Sequence, residues 1–216
     1  MIINLICSFG SQIKMYNGID WLPAIIDKND YRNIETNTID YCKLIEDSYN
    51  YFYHSFLKPK NPVLFENKRI TVAPKMLDCS SLKYQNCYNS EYYSCDNCKF
   101  KNYLDIFNHI CTDNYDSYRK KNKKISVPKL KKSKNGKSIP RTPGKFNIDR
   151  ITRTVWLRAI IEHCDDADNV KLNKSNRDVS FILVKEKYKI VIMPKYDKFT
   201  NTVKYYILKT AFYMGK

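Results

Sequence analysis

The chain has 216 residues and a formal net charge of +16. That charge attracts polyanions, so nucleic acid is the expected partner, and docking on an acidic protein or on a membrane surface is the alternative. No apolar run approaches the roughly 20 residues of a membrane span, so we expect a soluble protein without a membrane partner.

Aromatic residues and cysteines are both frequent. The 18 Tyr and 10 Phe can provide stacking surfaces for unpaired bases, but a richness in Lys, Asn, Ile and Tyr is also what an AT-rich genome produces. The opening MIINLICSFGSQ lacks a basic start and a cleavage site, which favours a strand over a secretory signal. We therefore expect a cytoplasmic protein, in which 8 Cys indicate buried thiols or metal ligands before disulfides.

The first helix is predicted to start after Thr38 as its N-cap and to end before Pro59 and Pro62. Its apolar residues recur every three or four positions: Ile39, Cys42, Ile45, Tyr49, Phe52, Tyr53 and Phe56. The segment PVLFENKRITVAP then alternates around Glu66-Asn67-Lys68, which predicts a β-hairpin even though the turn lacks Gly.

A cysteine segment follows the hairpin. Cys79, Cys87, Cys95 and Cys98 are separated by seven, seven and two residues, so only the last two form a closely spaced pair. Four thiolates would complete the tetrahedral set of a structural zinc ion, and buried free thiols are the equal alternative. A zinc ion with four protein ligands would be structural, so no catalytic cofactor is expected.

A short helical pattern from Tyr103 to Cys111 precedes a strongly basic segment at 118–145. Lys and Arg are the most frequent residues there, several Pro and Gly occur among them, and no acidic residue occurs. Such a segment cannot bury a core, so we interpret it as an extended linker or as an arm that follows phosphates. We thus predict an N-terminal α+β module at 1–117, the basic arm at 118–145 and a further domain at 146–216.

The last domain is predicted to be α+β, with one amphipathic helix packed on an antiparallel sheet. Asn147 is the expected N-cap of a helix that ends at His163, with Trp156 beside its apolar stripe. Four strands follow, at about 170–173, 179–185, 188–194 and 204–214.

The last domain resembles phage-encoded nucleases of the barnase, EndoU, colicin and RelE superfamily. The residues that carry the resemblance are RITRTVWLRAIIEH, DVSFILVKEKYKIVIMPK and the closing KYYILKTAFYM, and they cover roughly the last third of the chain. The resemblance implies a RelE- or barnase-like fold and metal-independent cleavage of RNA by its own 2′-hydroxyl. It also implies that RNA is the favoured nucleic acid and that the protein acts in a bacterial host. An immunity protein would be a further partner.

Such a reaction needs a base, an acid and cations around the phosphate. His163, the only histidine of this half, is the first candidate for proton transfer, although the helix dipole alone would favour an imidazolium there. Thr210 and Tyr213 are candidate hydrogen-bond donors, but they face opposite sides of a regular strand, whereas Lys209 and Tyr213 share one. The candidate phosphate-binding residues are Lys209, Arg153, Arg177 and Lys185.

The leading functional hypothesis is a metal-independent RNA endonuclease, borne by a phage or mobile element, whose basic arm holds the substrate. The alternative is a non-catalytic nucleic-acid-binding or inhibitory protein, for instance an anti-defence protein, on a nuclease-like scaffold. A toxin would share the chemistry of the first hypothesis and would arrest growth on expression.

Overall fold

The structure is a computed structural model in which residues 16, 18–76, 103–112 and 147–214 are described. The predicted opening strand, the cysteine segment from Cys79 to Cys98 and the basic arm at 118–145 lie outside these residues. The corresponding expectations therefore stay predictions. The fold class is α+β, as the sequence predicts.

The first long helix, α1, covers Tyr41–Phe56 after a short 3-10 helix at Lys28–Tyr31. Its N-cap is Asp40, whose carboxylate accepts from the Lys43 N–H at 2.9 Å, so the predicted cap at Thr38 is wrong. Thr38 belongs instead to the preceding turn, because its carbonyl accepts from the Asn33 N–H at 2.8 Å. The Asp40 carboxylate thus satisfies one of the N–H groups that the first turn of the helix leaves without an intrahelical partner.

The predicted hairpin is confirmed. β1 covers Leu64–Phe65 and β2 covers Lys68–Thr71, and the two strands pair antiparallel. Glu66 and Asn67 form the turn with φ angles of 49° and 59°. Two successive residues with positive φ are the signature of a type I′ turn, in which Asn substitutes for the more usual Gly.

The predicted single helix at 147–163 is wrong, because the structure contains two short helices there. α3 covers Ile148–Ile151 and α4 covers Trp156–Glu162. Between them the hydroxyls of Thr152 and Thr154 donate to carbonyl oxygens four and three residues earlier, at 3.0 and 2.9 Å. Such hydroxyls compete with the regular backbone pattern, and β-branched residues add to the effect, so the helix is interrupted.

Asn147 forms hydrogen bonds with two helices, α3 and the helix that precedes it in the described chain. The predicted helix at 103–111 is observed as α2, Asp105–Cys111, and the Asn147 N–H donates to the Cys111 carbonyl at 2.9 Å. The Asn147 side chain accepts from the Arg150 N–H at 3.3 Å, which confirms Asn147 as the N-cap of α3.

The four predicted C-terminal strands are present and pair antiparallel in chain order. They are β3 (Val170–Lys174), β4 (Val179–Leu183), β5 (Tyr188–Tyr196) and β6 (Val203–Tyr213). The N-terminal hairpin extends this sheet, because β2 pairs in parallel with β6, and the order is β1-β2-β6-β5-β4-β3. Residues from both sides of the predicted arm thus share one mixed sheet.

The sheet curls strongly. Its edge strands are β1 and β3, yet Glu66 in the β1–β2 turn forms an ion pair with Lys174 at the end of β3. The ring of Phe65 also packs edge-on against Phe181 of β4, with 5.1 Å between centroids. We call the contact between these two edges the seam. α4 packs against both β1 and β4 on the concave side of the sheet.

The hydrophobic core of the described residues fills the concave side. It joins apolar side chains of α1 and α2 to those of α4 and the sheet, including Phe52, Phe107, Trp156 and Tyr188, all fully buried. Within the described part of the chain, no helix is long and apolar enough to cross a bilayer.

Candidate functional site

The candidate site lies at the end of the sheet where β4 ends, β5 begins and β6 ends. Tyr213, near the end of β6, pairs with Tyr188, the first residue of β5. The β4–β5 turn at 184–187 lies beside them, since the Met214 N–H donates to the Lys187 carbonyl at 2.8 Å. The short α3 and the turn after it bring Arg153 to the same end.

Arg153 lies between two aromatic rings. Its guanidinium carbon is 5.0 Å from the ring centroid of Trp156 and 5.3 Å from that of Tyr213, within the range of cation–π attraction. One terminal nitrogen donates to the Asp149 carbonyl at 2.9 Å and lies 3.9 Å from the Asp149 carboxylate. Among the described residues, the buried Nε has no hydrogen-bond partner, although the side chain is 16% exposed. The Nε–H is therefore a buried donor whose hydrogen-bonding capacity is unused.

Two tyrosine hydroxyls near this guanidinium are also buried and have no partner in the described part of the chain. They belong to Tyr188 and Tyr213, whose rings pack edge-on at 5.3 Å. Burial raises the pKa of Tyr213 to about 12, against the lowering effect of the Arg153 charge. Burial raises the pKa of Tyr188 as well. Both phenols are therefore protonated at neutral pH and able to donate a hydrogen bond.

The carboxylate of this site is Glu186, in the β4–β5 turn. The Tyr16 hydroxyl donates to its Oε1 at 2.5 Å, and the Tyr16 ring packs edge-on against Trp156 at 5.3 Å. The hydrogen bond to Glu186 is the main cause of the raised pKa of Tyr16, and burial adds to it. We call Arg153, Tyr213, Glu186 and Tyr16 the Arg153 cluster.

His163 occupies a neighbouring corner of the same end. It is the C-cap of α4, and its ring stacks on Trp21 with 4.7 Å between centroids and 13° between planes. The indole N–H of Trp21 donates to the Asp166 carboxylate at 2.7 Å. His163 follows Trp156 by seven residues, which corresponds to about 10 Å along a helix axis. His163 thus lies apart from Arg153, against Trp21.

Lys185 lies on the side of the cluster that faces Gly18. Its Nζ is 3.3 Å from the place where a Cβ on Gly18 would lie, and Gly18 has a φ of 89°. A side chain at Gly18 would therefore be strained and would press on the lysine. The loop that contains Gly18 also carries Trp21, so one segment contacts Lys185 and His163.

The remaining predicted site residues lie elsewhere. Arg177 is in the β3–β4 turn, at the other end of β4, and Lys209 Nζ is 4.0 Å from the Asp178 carboxylate beside it. β6 has a bulge at Lys209. Leu208 pairs with Ile192 and Thr210 pairs with Val191, so Lys209 lies opposite no residue of β5. This bulge shifts the alternation of faces, so Lys209 and Tyr213 do not share a side in the way a regular strand predicts.

Thr210 and Tyr213 keep the relation that a regular strand imposes. Both lie after the bulge, where pairing with β5 is regular, and they are three residues apart. Their side chains therefore point to opposite faces of the sheet. Tyr213 is on the concave face with Arg153, and Thr210 is on the convex face.

The predicted metal ligands cannot be placed, because Cys79, Cys87, Cys95 and Cys98 lie outside the described residues. Among the residues that are described, no group of three or more His, Cys, Asp or Glu is arranged to hold a metal ion. Structural zinc at the four cysteines stays a prediction.

Sequence reasoning did not find Glu186 or Tyr16. Glu186 follows Lys185 in a polar turn, and Tyr16 lies 170 residues before it in the chain. No local pattern connects two such residues, and only the fold brings them together.

The chain was compared with family models, curated proteins and solved structures, and no match was found in any of the three. The resemblance of the last third to the barnase, EndoU, colicin and RelE superfamily therefore stays a prediction.

Proposed function

We propose that this protein is a metal-independent RNA endonuclease and that the Arg153 cluster is its cutting site. The observation that carries the proposal is the arrangement of Arg153. Its guanidinium has a buried Nε–H without a partner among the described residues and lies beside the Tyr16–Glu186 pair, through Trp156, and beside the buried Tyr213 phenol. A cation, a proton acceptor and a proton donor are the groups that RNA cleavage by its own 2′-hydroxyl requires.

In the proposed reaction Glu186 accepts the proton of the 2′-hydroxyl as the 2′-oxygen forms a bond to phosphorus. Arg153 then holds the negative oxygens of the phosphorane. Tyr213 donates a proton to the 5′-oxygen as its bond to phosphorus breaks. The products are a 2′,3′-cyclic phosphate and a free 5′-hydroxyl, and Tyr213 recovers its proton from Glu186 through water.

We assign the base to Glu186 rather than to His163 because of position. Glu186 is hydrogen-bonded to Tyr16, which packs on the same Trp156 that Arg153 stacks against. His163 lies about 10 Å further along α4 and stacks on Trp21. The two assignments predict that different substitutions abolish cutting, so they can be distinguished by experiment.

The test is incubation of the purified protein with total RNA and tRNA in excess EDTA, with the fragment ends analysed for 2′,3′-cyclic phosphate. We expect Glu186→Gln to slow cutting by about 10²- to 10⁴-fold, the usual contribution of a general base. Arg153→Lys keeps the charge but loses the planar fork, and we expect a loss of about 10²-fold. Arg158→Lys is the matched control, since Arg158 lies on α4, the helix that follows Arg153, and pairs with Glu162 at 2.7 Å instead of with the cluster.

Cutting that requires a divalent ion, or that survives in Glu186→Gln but vanishes in His163→Ala, would contradict this mechanism. Intact RNA with binding retained would favour the second candidate, a non-catalytic nucleic-acid-binding or inhibitory protein. The burial of the Arg153 Nε and of the Tyr213 hydroxyl is the observation that favours this second candidate, because a buried donor is harder for a substrate to reach.

A further inference from the structure

The hairpin of β5 and β6 extends beyond the end of the neighbouring strand β4. The last pairing between β4 and β5 is that of Val179 with Ile192, so among the described strands residues 193–196 of β5 pair with β6 alone. The turn at the tip contains residues 197–202. Phe199 at this tip is 96% exposed.

The tip is a well-defined turn that holds Phe199 outward. The Asp197 carboxylate accepts from the Phe199 and Thr200 N–H groups at 2.9 and 3.1 Å, and these bonds lower the pKa of Asp197. The Asp197 N–H donates to the Thr202 carbonyl at 2.8 Å, and Asn201 has a φ of 54°. The exposure of the Phe199 ring is therefore a consequence of the turn geometry, and the backbone of the turn is already ordered before binding.

The surroundings of the ring are basic and aromatic. Lys198 and Lys204 are exposed, and Tyr196 is 46% exposed on the same hairpin. The Tyr196 hydroxyl donates to the Asn176 carbonyl at 3.4 Å, so the β3–β4 turn, which contains Arg177, lies next to this hairpin. Cations beside exposed rings match a single strand of nucleic acid, whose phosphates need cations and whose bases need stacking surfaces.

We propose that the β5–β6 tip is a contact for single-stranded nucleic acid, in which Phe199 stacks on an unpaired base and the neighbouring lysines bind the flanking phosphates. A bilayer fits less well, because the other residues of the turn at 197–202 are polar or charged, so Phe199 has no apolar neighbour within the turn with which to enter lipid. A duplex also fits less well, since its bases are already stacked.

The tip is separate from the Arg153 cluster. β6 has 11 residues from Val203 to Tyr213, and a strand rises about 3.3 Å per residue, which places the two ends about 33 Å apart along the strand. The tip contact therefore does not depend on cleavage, and it holds for a nuclease and for a binding protein alike.

The test uses a fluorescein-labelled oligothymidylate of about 12 nucleotides, within the usual size of such sites. This probe lacks the 2′-hydroxyl, so it cannot be cut by the proposed reaction, and anisotropy reports binding alone. We expect Phe199→Ala to weaken binding about 10-fold at constant salt, because base stacking on an aromatic ring is typically worth that much or more. Phe199→Trp should retain affinity, and its added emission should be quenched by the oligonucleotide.

Ile34→Ala is the matched control. Ile34 is also 96% exposed, but it lies next to Glu35 and Asn33 instead of lysines, so its removal should leave binding unchanged. Equal losses in Phe199→Ala and Ile34→Ala would overturn the proposal, as would an equal loss of duplex binding in Phe199→Ala. Unchanged oligonucleotide binding, with lost binding to vesicles of anionic lipid, would replace it with a membrane contact.

Discussion

Trp156 is the residue that organises the candidate site. It is fully buried, and its indole N–H donates to the Pro23 carbonyl at 2.8 Å. Its ring contacts Arg153, Tyr16 and Tyr188. The Arg153 cluster is thus positioned through one side chain, and a change there should alter both stability and the site.

We expect Trp156→Phe to lower the free energy of unfolding by about 2 kcal/mol, because it leaves a void and removes the donor from the partly buried Pro23 carbonyl. Urea unfolding measures this loss. Trp21→Phe is the control, since Trp21 is only partly buried and its partner Asp166 remains accessible to water. A loss in Trp21→Phe as large as that in Trp156→Phe would contradict the argument.

At the scale of elements, the alternation and the helical spacing in the sequence are sufficient to predict the hairpin and the four later strands. The break between α3 and α4 is not predicted, because it depends on hydroxyls that bond back to the helix and on where the two segments pack. The bulge in β6 is missed for a similar reason, since register is set by the partner strand.

The β1–β2 turn provides a test at this scale. Asn67 has a φ of 59°, a conformation that costs a β-branched residue about 1–2 kcal/mol. We expect Asn67→Val to lower the free energy of unfolding by that amount. Asn61→Val is the control, because Asn61 precedes β1 and is not among the residues with positive φ. Equal stability of the two variants in thermal unfolding would refute the role of the turn.

At the scale of the molecule, the seam determines how far the sheet curls. Glu66 pairs with Lys174 and also accepts from the Tyr206 hydroxyl at 3.0 Å, so one carboxylate joins β3, β6 and the hairpin. The ammonium of Lys174 also lies 5.4 Å from the ring centroid of Phe65. Both charged side chains are about half exposed, which limits the strength of the pair.

We expect Glu66→Gln to lower the free energy of unfolding by about 0.2–1 kcal/mol at neutral pH, the range for exposed ion pairs. The hydrogen bond from Lys174 lowers the pKa of Glu66 below its usual 4.5. The stabilisation is therefore complete above about pH 4.5 and is lost as the pH falls through the lowered pKa. Urea unfolding from pH 7 to pH 3 should show the two proteins converging at low pH. A constant difference across this range would exclude the carboxylate as its cause.

The sequence by itself determined the fold class, most of the strands and helices, and two members of the Arg153 cluster, because these depend on local periodicity and residue chemistry. The tertiary structure alone decided the parallel pairing of β2 with β6, the closure of the seam and the meeting of Tyr16 with Glu186. Each of these joins residues more than 100 positions apart. Such contacts depend on how the whole sheet curls around its core, and no short stretch of sequence contains that information.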